Sequence, residues 1–113
     1  MEFIEVESVT GLIESLGAQK EFSDLLCALI ANPELGDVIQ GTGGLRKIRM
    51  AVPNRGKRGG VRIIYMIVCI GELICFLDAY TKNAKETLTA EDARKLSRLA
   101  ELIRKEYGDE KKS

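Results

Sequence analysis

Histidine and tryptophan are absent from this 113-residue chain, and proline occurs only twice. Without imidazole there is no Ser/His/Asp triad, no Cys/His nucleophile and no histidine-bearing zinc site. The three cysteines, Cys27, Cys69 and Cys75, form no C-x-x-C pair. Metal and thioredoxin-like chemistry are thereby disfavoured, and the cysteines are expected to be small buried apolar residues. The longest apolar run, residues 63–70, is eight residues. That is the length of a buried strand and far short of the ~18 residues of a membrane span. The opening Met-Glu-Phe-Ile-Glu is acidic, unlike a signal peptide. A cytoplasmic protein with no membrane partner is expected.

Hydrophobic residues make up 45% of the chain and charged residues 30%. This balance suits one soluble globular domain, large enough to bury a core without staples. Collagen, long disorder and a disulfide scaffold are excluded. No internal repeat or linker is visible. One domain over residues 1–108 is expected, followed by a charged tail over 109–113.

The formal net charge of zero conceals a strong asymmetry. Residues 1–40 hold eight acids and one base; residues 41–85 hold nine bases and two acids, Glu72 and Asp78. Residues 86–113 hold seven of each. Arg46, Lys47, Arg49, Arg55, Lys57, Arg58 and Arg62 follow one another with no intervening acid. Such a distribution points to a polyanion on one face. The plainer alternative is a solvated basic loop.

Apolar periodicity divides the chain into elements. Residues 2–7 alternate apolar and acidic, a short strand with Phe3 or Ile4 turned inward. Residues 8–16 carry Val9, Leu12, Ile13 and Leu16 at helical spacing, with Gly17 as the stop. Residues 19–31 form a stronger helix with the stripe Phe22, Leu25, Leu26, Leu29 and Ile30, ended by Asn32-Pro33 because a residue before proline disfavours the α region. The glycine-rich segment 36–44 reads as a turn. It lacks the lysine and following helix of a phosphate loop. Strands are expected over 45–52, 61–70 and 73–80, with a basic loop over 53–60 and Gly71-Glu72 as a two-residue turn. Thr89 caps a last helix with Leu96, Leu99, Ala100 and Ile103 inward and Gly108 at its end. The class is α+β, in the order β-α-α-β-β-β-α, with two N-terminal helices, one C-terminal helix and an antiparallel (mixed) sheet.

The turn at 71–72 sets an expected register in which Ile70 faces Leu73 and Arg62 faces Thr81. In the preceding hairpin Ala51 faces Arg62, and Arg49 faces Ile64. Lys47, Arg49, Arg62, Thr81 and Asn83 then share one sheet face, and Cys69 and Cys75 lie on opposite faces. A slip of one residue would scatter the set.

Cations on a sheet can promote phosphoryl transfer on RNA without metal or cofactor, because RNA supplies its own nucleophile, the 2′-hydroxyl. The protein must align that hydroxyl with phosphorus and stabilise the phosphorane charge. Arginine holds phosphate oxygens in pairs but does not give up its proton. Proton transfer therefore falls to lysine or tyrosine, with Tyr80, Lys82 and Lys57 as candidates. Tyr65 and Tyr80 can also stack bases, although a strand tyrosine more often belongs to the core. The residues alone lead to an RNA or phosphate binder, with a metal-free nuclease as its active form.

The segments GTGGLRKIR (41–49) and RGKRGGVRIIY (55–65), with NPELGDVIQ (32–40) upstream and YTKN (80–83) downstream, resemble the HigB-type branch of the RelE/ParE toxin superfamily. The likeness extends over about residues 20–107, including Leu88-Thr89 and the last helix. It implies a RelE-like toxin of a type II toxin–antitoxin pair: a ribosome-dependent mRNA endoribonuclease that inhibits translation and is neutralised by a cognate antitoxin protein. Lys47 and Arg49 match the two basic residues separated by one position, and Arg62 matches the arginine that opens the next strand after a glycine. The slot of a further arginine holds Asn83 beside Lys82. The C-terminal tyrosine base of the family has no counterpart at Thr87-Leu88-Thr89, so Lys57 and Tyr80 stand as substitutes. Relatives that use histidine are not a guide here. The implied catalytic set is Lys47, Arg49, Arg62, Lys57, Tyr80 and Lys82. Arg46, Arg55, Arg58, Asn83 and Lys85 are the implied RNA- or ribosome-binding residues. The same fold also serves ParE-like inhibitors of DNA gyrase that lack nuclease activity. A non-catalytic RNA-binding module is the remaining alternative.

Overall fold

The computed structural model describes residues 1–53, 60–68, 72–82 and 88–107. The elements run β1 (Glu2–Glu5), α1 (Glu7–Ser15), α2 (Gln19–Ala31), β2 (Asp37–Val38), β3 (Arg46–Met50), β4 (Val61–Val68), β5 (Leu73–Thr81) and α3 (Ala90–Glu106). The strands form one sheet in the order β1-β5-β4-β3-β2. β1 runs parallel to β5, and the other neighbours are antiparallel. The class is α+β with a mixed sheet, as expected. β2 is an addition: Asp37 and Val38 pair with Lys47 and Arg46 within the segment expected to be a turn.

Helices cover both faces of the sheet. α1 and α2 pack Val9, Ile13, Phe22, Leu25 and Leu29 against Ile63, Tyr65, Ile74 and Phe76 on one face. α3 packs Leu96 and Ala100 against Leu45, Ile64, Met66 and Tyr80 on the other. β4 is central and feeds both cores by alternation, which is why it is apolar from Ile63 to Val68. Among the described residues no helix is long and apolar enough to cross a membrane.

The local signals act largely as read. α2 has the expected bounds, and Asn32 leaves it in an extended conformation (φ −149°, ψ 93°) ahead of proline. Thr89 caps α3 with a reciprocal box: its hydroxyl accepts from Asp92 N–H at 3.0 Å, and Asp92 accepts from Thr89 N–H at 3.3 Å. Two apolar assignments differ. Ile30 ends the α2 stripe but is 55% exposed. Cys27 is exposed, on the outer side of α2, while Cys75 is buried. Phe3, rather than Ile4, faces the core of β1, stacked 6.0 Å from Phe76. The proposed turn at Gly71, the position of Cys69, the Gly108 cap and the tail lie outside the described residues.

Tyr65 joins the sheet to the end of α2. Its hydroxyl donates to Pro33 C=O at 2.8 Å and accepts from Gly36 N–H at 2.8 Å. It is fully buried, so it stacks no base. A Cβ on Gly36 would stand 2.8 Å from the Tyr65 ring, so glycine is required for this close approach. Burial pushes the Tyr65 phenol up from its ordinary value of 10.0. The linked stability is present in full below pH 10 and declines as pH rises from there through the folded-state value. Tyr65→Phe leaves a buried N–H and C=O without their partner and is expected to cost about 1–3 kcal/mol. Its unfolding free energy should also lose part of the wild-type decline above pH 10. Urea titrations at pH 7 and pH 10.5 check both points.

A candidate phosphate-handling face on the sheet

The sheet register brings the cations together, although not by the pairing first expected. In β3–β4, Arg49 lies directly opposite Arg62, and Lys47 lies opposite Ile64. Each partner is displaced by two residues from the expected one, so the faces are preserved because side chains alternate with a period of two. In β4–β5, Val68 faces Leu73, and a bulge between Ile64 and Tyr65 shifts the remainder, so that Arg62 faces Tyr80. The extra residue on β5 is Leu77, which packs with the α3-side core. Thr81 therefore stands opposite Val61 on the other face, and Tyr80 takes the place expected for Thr81.

The result is a row across three strands, Arg49, Arg62 and Tyr80, with Lys47 two residues along β3 on the same side. Neighbouring strands are about 4.8 Å apart, so the row places two guanidinium groups over a span that one phosphodiester can bridge. Arg49 is exposed, while Arg62 and Lys47 are half-buried. Ile64, next on this face of β4, is fully buried beneath α3, so the row lies at the margin of the helix. Tyr80 is 4% exposed and forms the floor, which removes it as a base-stacking platform. Asp78 shares this side of β5, and its Oδ1 accepts from Ala79 N–H at 3.0 Å.

Like charges placed directly across a sheet are destabilising. Among the described residues, neither Arg49, Arg62 nor Lys47 forms a salt bridge or a side-chain hydrogen bond. The opposed arginines form no ion pair with a described acid, and an anion bound between them would relieve their repulsion. Of the acids of the first forty residues, Asp37 stands opposite Lys47 across the β2–β3 pair. Glu7 and Glu14 are exposed on α1 and Asp24 on α2, the helices of the opposite face. β3 becomes an edge strand beyond Lys47, where β2 ends. There Arg49, Met50 and Ala51 border a shallow depression of about 310 Å³ together with Glu21 and Asp24 of α2. This proximity of acid to Arg49 was not legible from spacing, since α2 and β3 are joined only by tertiary packing.

Arg46 has a different situation from Lys47. It pairs with Tyr65 and so points to the α1–α2 face. Its guanidinium donates to Gly36 C=O at 2.7 Å and Glu34 C=O at 3.1 Å and lies 3.7 Å from the Glu34 carboxylate. Arg46 thus pins the turn after α2 rather than joining the cationic row. Lys82 is exposed just beyond β5. Arg55, Lys57, Arg58, Asn83 and Lys85 lie outside the described residues.

Gly60 opens β4 two residues before Arg62. A Cβ there would meet Met50 C=O at 2.8 Å, a backbone atom that cannot swing aside. Gly60→Ala is expected to push β3 and β4 apart beside the Arg49–Arg62 pair, at a cost of about 1–3 kcal/mol. A lowered urea midpoint would show it, whereas an unchanged midpoint would refute the close approach.

Two arginines and a lysine on one rigid sheet face can grip a phosphodiester and stabilise added negative charge on it. The family model of the RelE toxin of the RelE/RelB toxin–antitoxin system matches residues 18–111, from the start of α2 through the sheet and α3. The chain belongs to the RelE toxin family, and is thus the toxin of a toxin–antitoxin system with an antitoxin as its partner.

Proposed function

We propose that the chain is a ribosome-dependent mRNA endoribonuclease of the HigB-type branch, which inhibits translation by cutting messenger RNA on the ribosome. The observation that carries this reading is the row Arg49–Arg62–Tyr80 with Lys47 on the same face. In the proposed reaction the 2′-hydroxyl attacks the adjacent phosphorus, and the bond to the 5′-oxygen breaks. The products are a 2′,3′-cyclic phosphate and a 5′-hydroxyl end. One proton leaves the 2′-oxygen and one reaches the departing 5′-oxygen, so no external nucleophile or redox partner is needed.

Arg62 and Arg49 grip the non-bridging oxygens and become most useful as charge grows on the phosphorane. Guanidinium stays protonated, so proton transfer falls to other groups. Lys47 is half-buried on the same face as the two arginines. Lys82 is exposed beyond Tyr80, and Lys57 belongs to the basic loop of the sequence. We assign Tyr80 to a floor that orients Arg62; it stands opposite Arg62 and is buried.

Primer extension on a defined mRNA, with purified toxin and with or without ribosomes, tests the reading. New ends that appear only with ribosomes support it. Gyrase inhibition without any RNA cleavage would replace it with the ParE-like alternative, and RNA binding without cleavage would reduce it to a binding module.

A further inference from the structure

A second cationic feature lies outside the row. The glycine-rich turn between β2 and β3 faces the N-terminal half of α3 across a groove of about 650 Å³. Its lining includes Gln40, Gly41, Ala93, Arg94, Ser97 and Arg98, and none of its lining residues is acidic. Arg94 and Arg98 are one helical turn apart, so their Cβ atoms lie about 5–6 Å from each other on one side of α3. Both are exposed, and among the described residues neither forms a salt bridge or a side-chain hydrogen bond. Their neighbours on α3 are engaged: Lys95 lies 3.5 Å from Glu91, and Arg104 donates to Gly43 C=O at 2.7 Å.

The opposite wall is held in place. Thr42 is buried, its hydroxyl donating to Ile39 C=O at 2.6 Å and accepting from Leu45 N–H at 3.2 Å. Ser97 donates to Thr42 C=O at 3.2 Å, tying α3 to the turn. Gly41 and Gly43 have φ of 76° and 75°, a conformation that lets the turn fold back on Thr42. Ala90 and Ala93 are too small to fill the space between the walls. The turn leads through Leu45 directly into β3, so the groove lies on the α3 side of the sheet, the side that carries Lys47, Arg49 and Arg62.

We propose that this groove is a second phosphate-binding site, in which Arg94 and Arg98 hold the phosphodiester backbone of an RNA strand. The inference rests on the RNA reading of the preceding subsection. An open groove with paired guanidinium groups and no acid suits a continuous chain of phosphates, and its position on the side of the catalytic face lets one ligand engage both. Two sources share this chemistry, the messenger strand and ribosomal RNA.

The test measures the affinity of the intact toxin for a 20-nucleotide single-stranded RNA and for ribosomes over a series of KCl concentrations. The variants are Arg94→Glu with Arg98→Glu, Lys95→Glu as a single charge reversal on α3 outside the groove, and Arg62→Ala. For the single strand each phosphate contact contributes a slope of about −0.7 in log affinity against log salt. The groove double variant is expected to bind at least 10-fold more weakly, with a slope shallower by about 1.4. Lys95→Glu should have less than a third of that effect. Loss with the oligonucleotide assigns the groove to messenger RNA, and loss with ribosomes alone assigns it to ribosomal RNA. Either result supports the site. Wild-type affinity and slope for both ligands in the double variant would overturn it, as would an equal effect of Lys95→Glu. Binding of polyglutamate lost in the double variant while RNA binding persists would assign the groove to an acidic protein instead. Arg62→Ala separates the two levels. If it abolishes cleavage while the groove variant behaves as wild type, only the groove assignment fails. If the wild-type protein cleaves no RNA with or without ribosomes, the RNA reading itself fails.

Discussion

Arg62→Ala is expected to lower mRNA cleavage by about 10²–10³-fold while leaving the folded protein at least as stable as the wild type. The two halves of this expectation have separate causes. Arg62 stands between Arg49 and Tyr80 in the cross-strand row, the central position for gripping a phosphate. Removing a charge-stabilising donor that acts mainly in the transition state costs roughly 3–4 kcal/mol of barrier. The same substitution removes one member of a like-charged pair directly across the sheet, relieving up to about 1 kcal/mol of repulsion. A merely structural residue would show the opposite pattern, with activity falling alongside stability. Arg62→Lys should recover only part of the activity, because an ammonium keeps the charge but lacks the two-pronged geometry. Primer-extension rates and urea midpoints measured on the same preparations decide the matter. Full cleavage by the alanine variant would remove Arg62 from the site.

The largest loss of stability is expected from Phe76→Ala, about 3–5 kcal/mol. Phe76 is fully exposed to neighbouring side chains and not at all to solvent. Its ring stacks 6.0 Å from Phe3 of β1, meets Phe22 of α2 edge-on at 5.0 Å, and lies 6.2 Å from Tyr65 of β4. One side chain therefore links the parallel edge strand, a helix and the central strand. No neighbour can collapse into the space without losing its own contacts, which places the cost towards the upper part of the range for such truncations. Natural domains are stable by about 5–15 kcal/mol, so the variant should be marginal at 37 °C. The urea midpoint should fall sharply with little change in slope. A loss below about 1 kcal/mol would show that this aromatic cluster does not anchor the core.

The arrangement of the candidate site was partly legible because it depends on two kinds of information. Lys47 and Arg49 share a face whatever their partners are, since two residues separated by one on a strand point the same way. Arg62 joined them in the expected register and joins them in the structure, although its partner is Arg49 rather than Ala51. The error was two residues, and an even error leaves the faces unchanged. For β5 the shift beyond the bulge is odd. Leu77 is inserted opposite no residue of β4, so Tyr80 rather than Thr81 faces Arg62. Nothing in the local pattern of Leu73–Thr81 marks Leu77 as the extra residue, because both faces of this strand are apolar there.

The cases of Arg46 and Lys47 follow the same division. Adjacent basic residues in a sequence look equivalent, yet alternation sends them to opposite faces. Arg46 then meets the carbonyls of Glu34 and Gly36, which only the fold brings near. Tyr65 is likewise committed to the core by the turn that ends α2, and β2 exists because that turn returns the chain alongside β3.

By itself the sequence determined the helices, the three longer strands and the concentration of positive charge between residues 41 and 85. These rest on periodicity, proline and capping, which act over a few neighbouring residues. Tertiary structure decided which cation faces which, that Tyr80 forms the floor, that Arg46 turns away, and that Arg94 and Arg98 border a groove. Those outcomes depend on strand register, on one inserted residue and on the docking of α3. They are set by contacts between segments far apart in the chain, where local patterns carry no distance information.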